Sequence, residues 1–232
     1  MREENKRRDF LYTTLALGVI TVVSGMGVLP SCNEKKGEEK EVSPPEDLMQ
    51  EHGVLNRILL IYDFCKGKLL SKESFPVTAV SDAATIIRTF VEDYHEKQEE
   101  NYLFPRFQKA NQLTDLIDVL LKQHRSGRKI TEEIIQLTRQ ETRTDTENNR
   151  LIELLTSFNT MYRPHEARED TVLFPSFRKL VSQNEYDSLG EEFENNEQRI
   201  FGKDGFETMV EKVSMIEKQL GIFELSQFTP QL

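Results

Sequence analysis

The chain of 232 residues has few cysteines, an excess of acidic over basic residues, and no strand pattern. Two cysteines are too few for a disulfide framework, which excludes the small scaffolds that disulfides stabilise. The formal net charge is −10, and phosphate backbones bind basic surfaces, so nucleic acid is excluded as the main partner. No stretch of useful length alternates apolar and polar residues, so the sequence does not predict a β-sheet.

The first 31 residues are arranged like a bacterial export signal. A basic segment that contains the pair Arg7-Arg8 precedes an uncharged apolar run from Leu11 to Leu29, which is the layout of signal peptides and N-terminal anchors. The arginine pair resembles a twin-arginine signal, although an ordinary secretory signal or an uncleaved anchor shares the layout. The run ends in Leu29-Pro30-Ser31-Cys32, which resembles a lipobox with Cys32 as the lipidated residue. We therefore expect export to the periplasmic or cell-envelope side, with membrane attachment only through the N-terminal lipid or anchor.

Residues 32–45 are predicted to form a flexible tether, because they are polar and charged and end in two prolines. Four long amphipathic helices follow, with apolar residues at spacings of three and four. The first begins just after Pro45 and has Met49 on its apolar side. The second begins near Ser81 and stops at Pro105, because proline lacks a backbone donor and clashes with the preceding turn.

The third and fourth predicted helices are also bounded by their apolar residues. The third has an apolar stripe over residues 113–135. The fourth begins near Thr146 or Asn148. It is expected to kink at Pro164, and Pro175 is expected to end or bend it, as Pro105 does in the second helix.

The remaining segments complete the predicted architecture. Gly127, in the third helix, would let a neighbouring side chain approach closely. Two shorter amphipathic segments are predicted at roughly 185–200 and 204–220, and the tail (223–232) is expected to be irregular and docked by its aromatic residues. Four long helices with short connections predict an all-α fold, an up-down-up-down four-helix bundle with additional C-terminal helices.

One motif occurs twice, as H-E-x-x-E-[ED]-x-x-L-F-P-x-F. The first copy begins at His95 and the second begins 70 residues later, at His165. Each copy places a His and a Glu four residues apart, and these lie on one face of a helix. The pairs are His95 with Glu99 and His165 with Glu169, and each pair continues the apolar stripe of its helix. We interpret the two copies as two halves of one metal centre.

All four histidines of the chain lie on predicted apolar stripes, one on each helix. Burying an uncompensated carboxylate costs several kcal/mol, so four imidazoles and two carboxylates in one interior predict bound cations. Imidazole with carboxylate suits iron, zinc, copper or manganese. Two carboxylates that can bridge favour two metals, and two iron ions with open positions for a small molecule such as dioxygen are the natural candidate. The predicted ligands are His52, His95, Glu99, His124, His165 and Glu169.

These motifs resemble the hemerythrin-like family, also called HHE cation-binding domains. The resemblance covers roughly residues 46–222 and rests on Glu51-His52 in the first helix and on the two copies of H-E-x-x-E-x-x-x-L-F-P. It implies a four-helix bundle that holds a non-heme, carboxylate-bridged di-iron site and binds dioxygen reversibly. The four histidines would be terminal ligands, and Glu99 and Glu169 would be the bridges.

The sequence departs from the oxygen-carrying members of this family at two places. Arg128 stands four residues after His124, where those members have a fifth histidine. Those members also have the pattern H-x-x-x-x-D on the fourth helix, whereas here Glu169 lies four residues after His165 and Asp170 lies five residues after it. An additional oxygen ligand could replace the missing histidine, either Glu96 or, by symmetry, Glu166. Both would need a local distortion of the helix, because a neighbouring residue points about 100° away, and water is the other alternative.

Two functions remain open from these residues. The first is a binding protein that binds or senses dioxygen or nitric oxide, or holds iron, and it is favoured by the lack of a catalytic motif beyond the metal site. The second is a di-iron oxidase, peroxidase or nitric-oxide-consuming enzyme, favoured by the missing histidine. A ferritin-like site fits less well, because that class uses Glu-x-x-His. A redox-inert site such as zinc, or four structural histidines with solvated glutamates, is the plainer alternative.

Overall fold

The computed structural model describes residues 43–140 and 142–230, and every regular element in these ranges is helical. The predicted signal peptide, Cys32 and residues 33–42 of the tether lie outside the described residues. The six helices are α1 (Pro44–Leu70), α2 (78–109), α3 (Thr114–Thr138), α4 (145–180), α5 (Gln183–Phe201) and α6 (Gly205–Leu220). A short 3₁₀ turn, Leu225–Phe228, follows α6.

Helices α1 to α4 form the predicted bundle. Helix α1 packs against α2 and α4, and α3 packs against the same two helices from the other side. Short connections reverse the chain between successive helices, which gives the up-down-up-down order. Helices α5 and α6 pack on α1, and α6 also contacts the start of α2. The all-α prediction is therefore confirmed.

The bundle interior contains two apolar clusters. The larger cluster joins α1, α2, α3, α4 and α6, and the smaller one joins α1 to α5 at the other end of the bundle. Buried polar residues lie between them along each of the four bundle helices, and we call this region the polar layer. On α1, for example, Leu48 belongs to the smaller cluster and Val54 to the larger one, with His52 between them. The polar layer contains all four histidines, and each is buried.

Helices α2 and α4 include wider, π-helical turns close to the two copies of the motif. In α2 these are Ile87–His95 and Glu99–Leu103, and in α4 the π-helical turn is Glu169–Leu173. Such turns are rare and occur often at functional sites. Two of the three begin at the glutamate that each motif places four residues after its histidine.

The π-helical turns explain why the helix end predicted at Pro105 was wrong, and why α4, for which an end or a bend was predicted, does not end at Pro175. Helix α2 continues through Pro105 to Lys109, and α4 continues through Pro175 to Leu180. Each proline is an early residue of the α-helical segment that follows a π-helical turn. We attribute this tolerance to the wider turn, which relaxes the contact between the proline ring and the preceding carbonyl groups.

Three smaller predictions also need correction. Met49 is 39% exposed, and its neighbour Leu48 is the buried residue of that turn. Helix α4 begins at Asp145, because Thr144 and Glu147 form a capping box that the sequence reading missed. The tail is not docked by its aromatic residues, since Phe223 and Phe228 are both exposed.

No helix within residues 43–140 and 142–230 combines the length and the apolar character that crossing a membrane requires.

Candidate metal centre

The six predicted ligand side chains converge in the polar layer. They form two groups, and within each group the nearest ligand atoms all lie within 4.8 Å of one another. The two groups match the two halves that the repeated motif predicts. One contains His52, His95 and Glu99, and the other contains His124, His165 and Glu169.

The two groups adjoin one another, and each carboxylate reaches both of them. Glu99 Oε2 lies 3.9 Å from Nε2 of His95 in its own group and 3.5 Å from Nε2 of His124 in the other. Glu169 lies 3.1 Å from Nε2 of His165 and 3.4 Å from Nε2 of His52. The arrangement is therefore that of two histidine pairs with two carboxylates placed between them.

The Nδ1 atom of every histidine faces an oxygen acceptor on the outer side of the centre. His52 Nδ1 lies 2.8 Å from Asp170, and His95 Nδ1 lies 2.8 Å from Glu51. A hydrogen bond from Nδ1–H leaves the Nε2 lone pair facing inward, which is the tautomer that a metal ligand needs. The same relation holds in the other half, where the Nδ1–acceptor distances are 3.1 Å for His124 with Glu100 and 2.9 Å for His165 with Gln123.

The sequence reading missed these four acceptors, although they follow the same repeat. Glu51 and Gln123 each stand directly before the lone histidine of their helix, and Glu100 and Asp170 each follow the glutamate of the motif. The acidic residue at this last position is part of the H-E-x-x-E-[ED] pattern. That repetition is a signal that could have identified Glu100 and Asp170.

The Leu-Phe-Pro-x-Phe ends of the two motifs anchor the smaller apolar cluster. Their leucine and phenylalanine side chains are all buried. Phe174 stacks on His52 with ring centroids 5.6 Å apart, and Phe104 stacks on His124 at the same distance. The phenylalanine of each motif therefore fixes the ring of the histidine that the other half contributes, and it excludes water from one side of the centre.

Arg128, at the position of the fifth histidine in oxygen carriers, forms ion pairs with two acidic side chains. Its guanidinium lies 2.5 Å from Glu96 and 2.7 Å from Glu100. Glu96 also accepts a hydrogen bond of 2.7 Å from the hydroxyl of Tyr162. The structure thus places Glu96 between α2, α3 and α4. There it forms a further group that could hold a metal ion, together with Glu100 and His124, and its Oε2 lies 3.9 Å from Nδ1 of His124.

Glu166 is the counterpart of Glu96 on α4, and its surroundings differ. Asn56 donates a hydrogen bond to its Oε2, and Oε1 is buried with no hydrogen-bond partner among the residues that the structure describes. Burial raises the pKa of Glu166 to about 8, although the charge of His52 acts to lower it. Glu166 also stands apart from the two ligand groups, and an additional ligand role for Glu96 or Glu166 stays a prediction.

The pKa values of three predicted ligands are shifted by burial and by the charges of their neighbours. Burial, reinforced by the charge of Glu169, raises the pKa of Glu99 well above its ordinary value. Burial lowers the pKa of His52, but the nearby carboxylates of Asp170 and Glu169 outweigh it and raise the pKa to about 10. Burial lowers the pKa of His124 to about 4. Protons therefore partly balance the buried carboxylates here, and a metal ion would displace them.

The donor set fits metal cations. Both oxygens of Glu99 and both of Glu169 are buried, and none accepts a hydrogen bond from a residue that the structure describes. Uncompensated buried carboxylates are costly, and inward-facing imidazoles are donors that transition metals prefer. The fold and this site define the class of the protein, a helical bundle with a buried histidine–carboxylate site that can hold metal ions.

Comparison with known proteins identifies the family. The model of the hemerythrin HHE cation binding domain matches residues 43–177, which is more than half of the chain, so the chain belongs to this family. Its members bind metal cations, typically iron. The match ends before α5, so the two C-terminal helices lie outside it.

The chain is also similar to proteins of mycobacteria. It is 42% identical over 221 residues to the uncharacterized proteins Rv1995 of Mycobacterium tuberculosis and Mb2018 of Mycobacterium bovis. Each comparison covers 93% of this chain and 87% of the relative, so it extends well beyond the family domain. No solved structure matches the chain significantly.

Proposed function

We propose that this protein holds two non-heme iron ions in the polar layer and uses them to bind or sense a diatomic molecule such as dioxygen or nitric oxide, or to hold iron. The observation that supports this proposal most strongly is the position of Glu99 and Glu169. Each carboxylate lies between histidines of both halves, which is where a bridge between two cations has to stand. Nε2 of the four histidines would supply the terminal ligands.

Iron bound here would supply a redox-active centre with open coordination positions, because six protein side chains do not saturate two ions. The protein's own residues prepare the site. Asp170 and Glu51 orient two of the histidine rings through Nδ1, and Phe104 and Phe174 cover two of them. Burial of every predicted ligand keeps bulk water away from the site.

The ligand assignment can be tested by iron content. We expect Glu99→Gln and Glu169→Gln each to lose most of the iron, because each replacement removes a charge that both ions share. Glu191→Gln, on the exposed side of α5, is the control with the same change in charge. Iron measured per folded chain in the three variants decides the assignment, and wild-type iron in both Glu99→Gln and Glu169→Gln would refute it.

A second candidate function is a di-iron oxidase, peroxidase or nitric-oxide-consuming enzyme. It is favoured by Arg128, whose ion pairs with Glu96 and Glu100 occupy the position of the fifth histidine. Fewer protein ligands leave more open positions on the metal. The absorption spectrum separates the two functions when the reduced, iron-loaded protein meets dioxygen. A new visible band that reverses under vacuum supports binding, whereas a band that decays while dioxygen or peroxide is consumed supports the enzyme.

We also propose that the protein acts in the cell envelope, attached through Cys32. The support is the order of basic segment, apolar run and Leu29-Pro30-Ser31-Cys32 at the N-terminus. In fractionated cells the wild-type protein is expected with the membranes, and Cys32→Ala is expected to change its processing. Recovery of the full-length protein from the cytoplasm would contradict this proposal.

A further inference from the structure

A third group of side chains with metal-ligand chemistry adjoins the half of the centre that contains His124. It consists of Glu96, Glu100 and His124, whose nearest ligand atoms all lie within 4.8 Å of one another, and we call it the third group. Nδ1 of His124 lies 3.1 Å from Oε1 of Glu100 and 3.9 Å from Oε2 of Glu96. His124 therefore takes part in both groups, with Nε2 on the side of the centre and Nδ1 on the side of the two carboxylates.

The guanidinium of Arg128 lies against both carboxylates of the third group. A single nitrogen, Nη2, is 2.5 Å from Oε2 of Glu96 and 2.7 Å from Oε1 of Glu100. Hard metal ions lie about 2.0–2.6 Å from their carboxylate oxygens, so this nitrogen stands close to where a metal ion shared by the two carboxylates would stand. A guanidinium always carries its positive charge in a protein, and this one cannot diffuse away.

The two carboxylates present one oxygen each to this cation, because other side chains hold their remaining oxygens. Tyr162 donates a hydrogen bond of 2.7 Å to Oε1 of Glu96. Lys97 donates one of 2.5 Å to Oε2 of Glu100. Oε2 of Glu96 and Oε1 of Glu100 are thus held in position for a positive charge between them, and Arg128 supplies that charge.

Arg128 is itself held by the facing helix. Arg88 of α2 donates a hydrogen bond of 2.9 Å to the backbone carbonyl of Arg128, and Arg88 also pairs with Glu92 at 2.9 Å. A surface cavity of about 500 Å³ is lined by Arg88, by Arg128 and by four further polar residues of α3. Removing the Arg128 guanidinium would therefore open the third group to ions in solution.

We propose that Arg128 determines how many metal ions this region of the bundle holds, because its guanidinium takes the place of a metal ion in the third group. His124 then donates from Nδ1–H to Glu100 and keeps Nε2 for the centre. A metal ion bound by Glu100 would compete for the same imidazole, since either ring nitrogen of histidine can ligate a metal. This role goes beyond the proposed function, and it does not depend on which metal the polar layer holds.

The test measures Mn²⁺ binding to the full-length protein after its iron sites have been filled. Arg128→Met should bind about one Mn²⁺ per chain more than the wild type, through the two carboxylates that it leaves without a guanidinium. Mn²⁺ should also raise the Tm of this variant more than that of the wild type. Arg128→Gln, which loses the charge but keeps a polar side chain, serves in its place if Arg128→Met does not fold.

Three further variants separate the charge of Arg128 from a general effect on the fold. Arg128→Lys keeps a positive charge and should bind no more Mn²⁺ than the wild type. Arg150→Met makes the same change of charge at an exposed arginine and should also bind like the wild type. Adding Glu100→Gln to Arg128→Met removes one ligand charge and should weaken the additional Mn²⁺ site on the order of tenfold or more.

The variants give clear outcomes for the role of Arg128. A folded Arg128→Met or Arg128→Gln protein that binds no more Mn²⁺ than the wild type overturns the proposal. Additional Mn²⁺ that binds equally well after Glu100→Gln overturns it too, as does Arg128→Lys that binds as much Mn²⁺ as Arg128→Met. If the polar layer takes up no iron but Arg128→Met still gains a Mn²⁺ site that depends on Glu100, the proposed function fails and this role of Arg128 stands.

Discussion

Replacing Gly127 by alanine tests whether the close contact between α3 and α4 positions Tyr162 beside the centre. An added Cβ would lie 2.1 Å from the Tyr162 hydroxyl oxygen and 2.9 Å from its ring carbon Cζ. The ring therefore has to move, and its hydrogen bond to Glu96 is lost. Overpacking costs about 1–3 kcal/mol, and the buried hydrogen bond is worth about 1–3 kcal/mol. Alanine regains about 1 kcal/mol of helix propensity.

The expected net loss for Gly127→Ala is therefore about 1–5 kcal/mol, which lowers Tm by roughly 2–4 °C for each kcal/mol in a domain of this size. Gly53→Ala, in α1, is the matched control, because nothing lies within 4 Å of a Cβ added at Gly53. This variant should gain about 0.5–1 kcal/mol of stability. In a Tyr162→Phe background the Gly127 substitution should cost less, since the nearest clashing atom is gone. A Gly127→Ala protein that melts at or above the wild-type temperature would refute this reasoning.

Three further outcomes follow from the same surroundings. Asp170→Ala removes the acceptor of His52 Nδ1 and should weaken iron retention about 10–100-fold in a chelator competition, with exposed Asp118→Ala as control. Arg128→Met removes the cation that pairs with Glu96 and leaves Glu100 with Lys97 alone. It should destabilise the fold by about 1–3 kcal/mol in urea unfolding, whereas the exposed Arg150→Met should change it by less than about 1 kcal/mol. Burial raises the pKa of Glu100, but His124, Lys97 and Arg128 outweigh it and lower the pKa to about 2. Because the pKa is lowered, the ionised Glu100 stabilises the metal-free fold above pH 4.5, and this stabilisation is lost as the pH falls towards about 2. The loss of unfolding free energy caused by Glu100→Gln should therefore become smaller as the pH falls through that window. A loss that does not change with pH would contradict this prediction.

The convergence of the six side chains was predictable because it follows from periodicity. His52, His95, His124 and His165 each continue an apolar stripe, and a stripe has to face the interior of a bundle. The closeness of a neighbour to Gly127 was predicted because the residue is a glycine, and the contact with Tyr162 confirms it.

The missed features depend on contacts between residues that are distant in sequence or on unusual backbone. Asp170 and His52 are separated by 118 positions, and no local pattern states which acceptor faces which imidazole. Proline usually ends helices, which predicts a helix end at Pro105, and a π-helical turn that tolerates the proline has no established sequence signature. The ion pair of Arg128 with Glu96 likewise joins two different helices, so no local pattern states it.

The most direct test of the central claim is an anomalous diffraction map of iron-loaded crystals, recorded at the iron absorption edge. We expect two separate peaks in the polar layer, both in contact with Glu99 and Glu169, and each next to Nε2 of one histidine pair. A single peak, or iron bound only outside the six predicted ligands, would contradict the account of a carboxylate-bridged di-iron centre.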